Sequence, residues 1–138
     1  YEGEAAMQLE SLAFDYCYTQ GLDILEYYEM GVKKGKISTP SLMNSLLVDL
    51  EEGKEKNFIA AKFHYSLVKL IDVVAQSANT YKLAFSGGVF QNGVLVDLIF
   101  HHLGENYELF FHDQLSPNDE NIAFGQLIYY QITQDSSK

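Results

Sequence analysis

Ser86-Gly87-Gly88 breaks an apolar run, Lys82-Leu83-Ala84-Phe85, and Val89-Phe90-Gln91-Asn92 leads from it into the helical pattern of Val94, Leu95, Leu98 and Ile99. A second polar elbow, Ser116-Pro117-Asn118-Asp119-Glu120-Asn121, feeds Ile122-Ala123-Phe124-Gly125-Gln126. Each elbow ends a strand or loop and opens a helix. Backbone N–H groups there lack intrahelical partners and can hold an anion. Paired glycines reach φ > 0 and let a ligand approach the main chain closely. The same spacing also suits a plain strand-to-helix turn. It is not a P-loop, because no Lys-Ser or Lys-Thr pair follows the glycines.

The elements around these elbows follow from periodicity and caps. Glu4 to Phe14 reads as a helix of good formers, with acid in its first turn suiting the dipole. Ile24 to Met30, rich in Tyr and apolar residues, reads as a strand with Tyr27 and Tyr28 on opposite faces. Gly31 to Gly35 is a turn carrying Lys33 and Lys34, and Lys36-Ile37-Ser38 is a returning strand. Thr39 as N-cap and Pro40 as first helical residue start the next helix, whose Met43, Leu46, Leu47 and Leu50 form a core stripe ended by Gly53. Lys56 to Ala78 is the longest helix, with Ile59, Phe63, Leu67, Leu70 and Val74 on one face and His64 just off it. His101 and His102 close the helix after the glycines; adjacent helical residues point about 100° apart and do not converge on one metal. Leu109-Phe110-Phe111 is a short strand with His112-Asp113 as its exit. Asn118 or Asp119 caps the last helix, and residues from Gln134 onward form a tail.

At 138 residues and 47% apolar, the chain can bury a real core. Its net charge is −10 and it holds no arginine, only nine lysines. So acidic a surface repels a phosphate backbone, which argues against direct nucleic-acid binding. Without a guanidinium clamp, phosphates need backbone N–H groups, a metal ion or residues outside this chain. No apolar run reaches a membrane span. The single Cys17 cannot form an internal disulfide, which fits a reducing, cytoplasmic setting, and it reads as buried and inert. The chain opens on Tyr1 within a motif, so we expect a piece of a longer protein.

Ser86-Gly87-Gly88-Val89-Phe90-Gln91-Asn92, Pro117-Asn118-Asp119 and Ile122-Ala123-Phe124-Gly125-Gln126 resemble the C-terminal end of HypF, the carbamoyltransferase family of [NiFe]-hydrogenase maturation. Ala60-Ala61-Lys62-Phe63-His64 and Tyr1-Glu2-Gly3-Glu4-Ala5-Ala6 resemble its pattern in the same order, so the likeness spans nearly the whole chain. The tRNA threonylcarbamoyl-transfer proteins share the layout more loosely. Such a resemblance implies an α/β fold, the helix-rich C-terminal half of an actin-like, sugar-kinase-like ATPase domain, in one C-terminal subdomain covering residues 1–138. It also implies transfer of a carbamoyl group from carbamoyl-adenylate, made from carbamoyl phosphate and ATP in another domain, to a C-terminal cysteine of a HypE-type partner. Glu4 would then hold a nucleotide ribose, or simply be a favourable first-turn acid. Gly87 and Gly88 would lie against the nucleotide, and Asn92 would offer it a side-chain amide. Asp119 matches the family's carboxylate ligand for a divalent metal (Fe, Zn or Mg), completed by histidines elsewhere; its other reading is a helix cap. Besides the tRNA-modifying relatives, a non-catalytic interaction module is the alternative.

Overall fold

The computed structural model describes residues 3–33 and 35–135. Tyr1 and Glu2 of the first motif, Lys34 of the turn and residues 136–138 of the tail lie outside the described residues. Helix α1, Glu4–Gln20, continues past Phe14 because nothing breaks it before Gly21. There φ is +86° and the N–H returns to the Cys17 carbonyl at 2.9 Å, a glycine C-terminal stop.

The segment expected as a strand over Ile24–Met30 has no ladder. The Tyr28 N–H instead donates to Ser66 Oγ at 2.7 Å, and the Glu29 carbonyl accepts from Ser41 Oγ at 3.2 Å. Tyr28 is buried and Tyr27 exposed, so the alternation holds although the strand does not. Pairing begins instead at Gly31, inside the stretch expected to be a turn. Strand β1, Gly31–Lys33, runs antiparallel to β2, Lys36–Ser38, with Val32 opposite Ile37.

Helix α2, Pro40–Glu51, starts at the proline as expected, but Thr39 makes no side-chain cap bond. The expected core stripe is not core. Met43, Leu47 and Leu50 are exposed, Leu46 is half-buried, and the buried residues are Leu42 and Asp49. Asp49 faces inward because three donors meet it there: Lys54 Nζ at 2.6 Å, Lys62 Nζ at 2.8 Å and the Tyr28 hydroxyl at 2.8 Å. Burial alone pushes its carboxyl up, but these hydrogen bonds outweigh that and hold it well below the usual carboxylate range.

Helix α3, Lys56–Ser77, is the central element. Of the expected stripe only Ile59 is fully buried, and Val74 is exposed. Ala60, Ala61, Val68 and Ala75 lie deepest, with Lys62, His64 and Ser66 buried beside them. A helix covered on several sides is read poorly by one apolar stripe. Small residues let neighbours approach closely, and buried polar groups survive where they find partners.

Strand β3, Lys82–Ala84, pairs in parallel with β4, Glu108–Phe110, Leu83 opposite Leu109. Between them lie a 3₁₀ turn, Gly88–Gln91, and helix α4, Gly93–Leu103. Phe111 leaves the ladder one residue earlier than expected, to stack on Phe85 (centroids 4.5 Å apart) and Phe100 (4.9 Å). Phe90 adds an edge contact to Phe85 at 5.1 Å. Leu98 and Ile99 of α4 join Ala13, Ala60, Ala61 and Val68 in one core. Helix α5, Asn121–Asp135, takes in Gln134, expected to be tail, and leaves Ile122, Leu127 and Ile132 exposed.

Candidate functional site

The aromatic cluster fixes where the first elbow leaves the sheet, since Phe85 precedes Ser86 and Phe90 lies in the turn beyond it. Gly87 has φ +104° and ψ 157°, a conformation open to glycine and strained for any other residue. Gly88 is not in a positive-φ conformation, and a Cβ there would meet only Gln91 Oε1 at 3.9 Å. The two elbows are tied together. The Gly87 N–H donates to the Pro117 carbonyl at 2.6 Å, Gln91 Nε2 donates to Ser116 Oγ at 3.3 Å, and Ser86 Oγ lies 3.0 Å from His112 Nε2. Gly88, Asn118, Asp119 and Glu120 consequently line one open cavity of about 320 Å³.

Asp119 lies on the exposed rim of this cavity. Its backbone carbonyl accepts from the Ile122 N–H at 3.1 Å, while Asn118 Oδ1 takes the Glu120 N–H at 3.1 Å. Asn118 thus supplies a side-chain bond within this elbow, and Asp119 lines the cavity. Asn121 Nδ2 is buried there with no hydrogen-bond partner, an orphan that calls for an explanation. Among the described residues no three His, Cys, Asp or Glu side chains gather to hold a metal. A cation on Asp119 therefore needs further donors from beyond these residues.

Asn92 sits where expected, at the start of α4, but its amide is committed inside the protein. Oδ1 accepts from the Leu95 N–H at 2.8 Å and Nδ2 meets His64 Nε2 at 3.0 Å. The Gly93 N–H donates to Glu10 Oε1 of α1 at 2.7 Å. The N-terminus expected to receive an anion already holds a carboxylate of this chain. Glu4 is exposed on α1 and accepts from Gln8 Nε2 at 3.2 Å.

His64 is a satisfied core histidine. Its Nδ1–H donates to the Ala60 carbonyl at 2.8 Å, and burial pushes its pKa down despite that bond. His101 bonds Asp23 and His102 bonds the Leu22 carbonyl, so they serve the core edge and not a metal. The half-buried Cys17 thiol is pushed up by burial and by Asp97, which makes it a poor nucleophile. Glu10 and the Ser86–His112 pair carried no local signal: each partner lies far away in sequence.

A parallel strand pair joined by a glycine turn and a helix, with a carboxylate elbow folded back onto the glycines, is the layout of one half of an actin-like ATPase domain. Residues 1–126 match the family described as "Carbamoyltransferase, Kae1-like Domain, second subdomain", and the chain belongs to that family. It is 32% identical over 131 residues to carbamoyltransferase HypF of Synechocystis sp., covering 93% of this chain and 16% of that protein. It is similar to a full-length HypF crystallised in the phosphate- and nucleotide-bound form (30% identity, TM-score 0.72, 91% of this chain and 17% of that one). HypF of T. kodakarensis is similar too, at 29% identity and TM-score 0.67, over 86% of this chain and 15% of that one. The chain thus spans about a sixth of the length of these relatives.

Proposed function

We propose that this chain works as the C-terminal subdomain of a HypF-type carbamoyltransferase, which moves a carbamoyl group from carbamoyl-adenylate to the C-terminal cysteine of a HypE-type acceptor. The observation that carries this reading is the cavity shared by Gly88 and Asp119, created when Gly87 bonds Pro117. Gly87 spends its N–H on the Pro117 carbonyl and Phe90 on the Gly87 carbonyl, so the Gly88 and Val89 N–H groups of the turn would face the nucleotide phosphates, in a chain that has no arginine to do so. Asp119, with Glu120 beside it, would provide a carboxylate to a divalent cation completed by other parts of the protein. Such an ion would neutralise phosphate charge or polarise the carbamoyl oxygen. Asn92 supports the turn from behind through its cap. Glu4 would reach the ribose only with the nucleotide bound between this subdomain and the rest of the domain. The exposed apolar residues of α5 are a surface that those remaining domains would cover.

The experiment is a thiol-transfer assay in the longer carbamoyltransferase, with preformed carbamoyl-adenylate and a peptide ending in cysteine. Carbamoylated peptide and AMP are expected in equal amounts. The chain alone is expected to bind nucleotide weakly and turn nothing over. Steady AMP release by the isolated chain, or no peptide product from the longer protein, would contradict this reading.

A further inference from the structure

We propose that Ser86 and His112 form the proton-accepting pair for the incoming thiol, an inference that rests on the carbamoyl-transfer reading above. Ser86 is the residue before Gly87-Gly88, and its Oγ lies 3.0 Å from Nε2 of His112 at the exit of β4. Both side chains are exposed. With the ring neutral and its proton on Nδ1, the Ser86 hydroxyl donates to Nε2. Histidine is the side chain suited to exchange a proton near neutral pH.

Other candidates at the elbows are already engaged or unsuited. His64 is buried and spends both ring nitrogens on Ala60 and Asn92. Gln91 and Asn118 are amides, while Asp119 and Glu120, which line the cavity, are the carboxylates proposed above for a cation. Four of the lysines are paired elsewhere: Lys54 and Lys62 with Asp49, Lys69 with Asp72 and Lys82 with Glu108. His112 is the base that the fold places within hydrogen-bond reach of Ser86, the residue before the glycine turn.

Transfer requires a thiolate, since the neutral thiol attacks poorly. The thiol proton passes to Ser86 Oγ as the Ser86 proton moves to His112 Nε2. Sulfur then attacks the carbamoyl carbon, the C–S bond forms, and the bond from that carbon to the phosphate oxygen breaks. AMP leaves with the electron pair, and the imidazolium returns its proton to water. No oxidant or reductant is involved.

The test uses the longer carbamoyltransferase, preformed carbamoyl-adenylate and a synthetic peptide ending in cysteine. His112→Gln keeps an amide able to bond Ser86 but accepts no proton. We expect kcat for transfer to fall by about a hundredfold, as loss of a general base does, with KM for carbamoyl-adenylate nearly unchanged. Added imidazole should restore part of the rate in His112→Ala. Should His112→Gln lower the melting temperature, Ser86→Ala repeats the test at an exposed position, with the same fall in kcat expected. Wild-type transfer with an unaffected kcat in both His112→Gln and Ser86→Ala, or no imidazole rescue, overturns the pair. Absence of transfer by the wild type overturns the functional reading, and this inference with it.

Discussion

Nε2 of His64 on α3 lies 3.0 Å from Nδ2 of Asn92 at the start of α4, and each end of that contact is fixed by another bond. The Ala60 carbonyl can only accept, so Nδ1 of His64 carries the proton. The Leu95 N–H can only donate, so Asn92 presents Oδ1 to it and Nδ2 to the histidine. A neutral ring satisfies every group. A protonated ring sets N–H against N–H, or turns the amide over and removes the cap.

The pH dependence of stability follows from that relationship. Burial lowers the His64 pKa below its ordinary 6.5, and that of His102 likewise. As pH falls below about 6.5 the unfolded chain takes up protons that the folded chain does not. Stability therefore drops with falling pH, until the depressed folded values are reached. Melting temperatures measured between about pH 7.5 and 5.5 should decline, and His64→Gln should flatten the slope. An equal slope in that variant would remove His64 from the account.

Asn92→Ala should destabilise the chain by about 1–3 kcal/mol, because the cap is lost and the buried His64 Nε2 loses its donor. Chemical denaturation of both proteins measures this directly. A change below about 0.5 kcal/mol would mean that the cap and the histidine contact add little.

The adjacent glycines should separate cleanly. Gly87→Ala forces a side chain into φ +104° and should cost about 1–2 kcal/mol of stability whatever the function. Gly88→Ala meets only Gln91 Oε1, at 3.9 Å, so its melting point should hardly move. In the longer protein we expect it to lower ATP affinity by more than about tenfold (about 1.4 kcal/mol). ATP titrations well below the melting transition check this, and unchanged affinity in Gly88→Ala would reduce that position to a turn.

Asp119→Asn should leave stability within about 0.5 kcal/mol, since only its backbone carbonyl bonds within the elbow. In the longer carbamoyltransferase, bound divalent metal and transfer rate should both fall. Elemental analysis with a thermal melt decides; retained metal would free Asp119 from that role.

Asp49→Ala removes the carboxylate shared by Lys54, Lys62 and Tyr28, leaving buried Lys62 with Glu26 at 3.4 Å. Breaking a buried pair costs about 3–5 kcal/mol. The folded carboxyl is held low, so its contribution is complete above the ordinary 3.8 and is lost as pH falls toward the folded value. Acid unfolding of Asp49→Asn should accordingly show a shallower dependence below about pH 4. An unchanged acid limb would assign that dependence to other carboxylates.

Much of this protein was determined by local sequence. Pro40 and Gly53 bound α2 as read because their chemistry acts within one turn, whereas the Gly21 stop and the Asn92 cap were local signals that the sequence reading passed over. The helices, the returning strand Lys36–Ser38, the glycine elbow and the lack of a guanidinium clamp were legible for the same reason, whereas the first strand of the hairpin fell at Gly31–Lys33, where a turn was expected. Tertiary structure decided whatever depends on a distant partner. Tyr28 leaves the strand its composition favours because Ser66 and Asp49 meet its polar atoms. Helix α2 turns Asp49 inward, and not its leucine stripe, because Lys62 and Tyr28 wait there. Glu10 takes the Gly93 N–H, so the turn and not the α4 N-terminus faces the cavity. Ser86 and His112 lie 26 residues apart and meet because β3 and β4 end side by side in a parallel pair. Hydrogen bonds and ion pairs act over a few ångströms, so only the packed chain could choose among them.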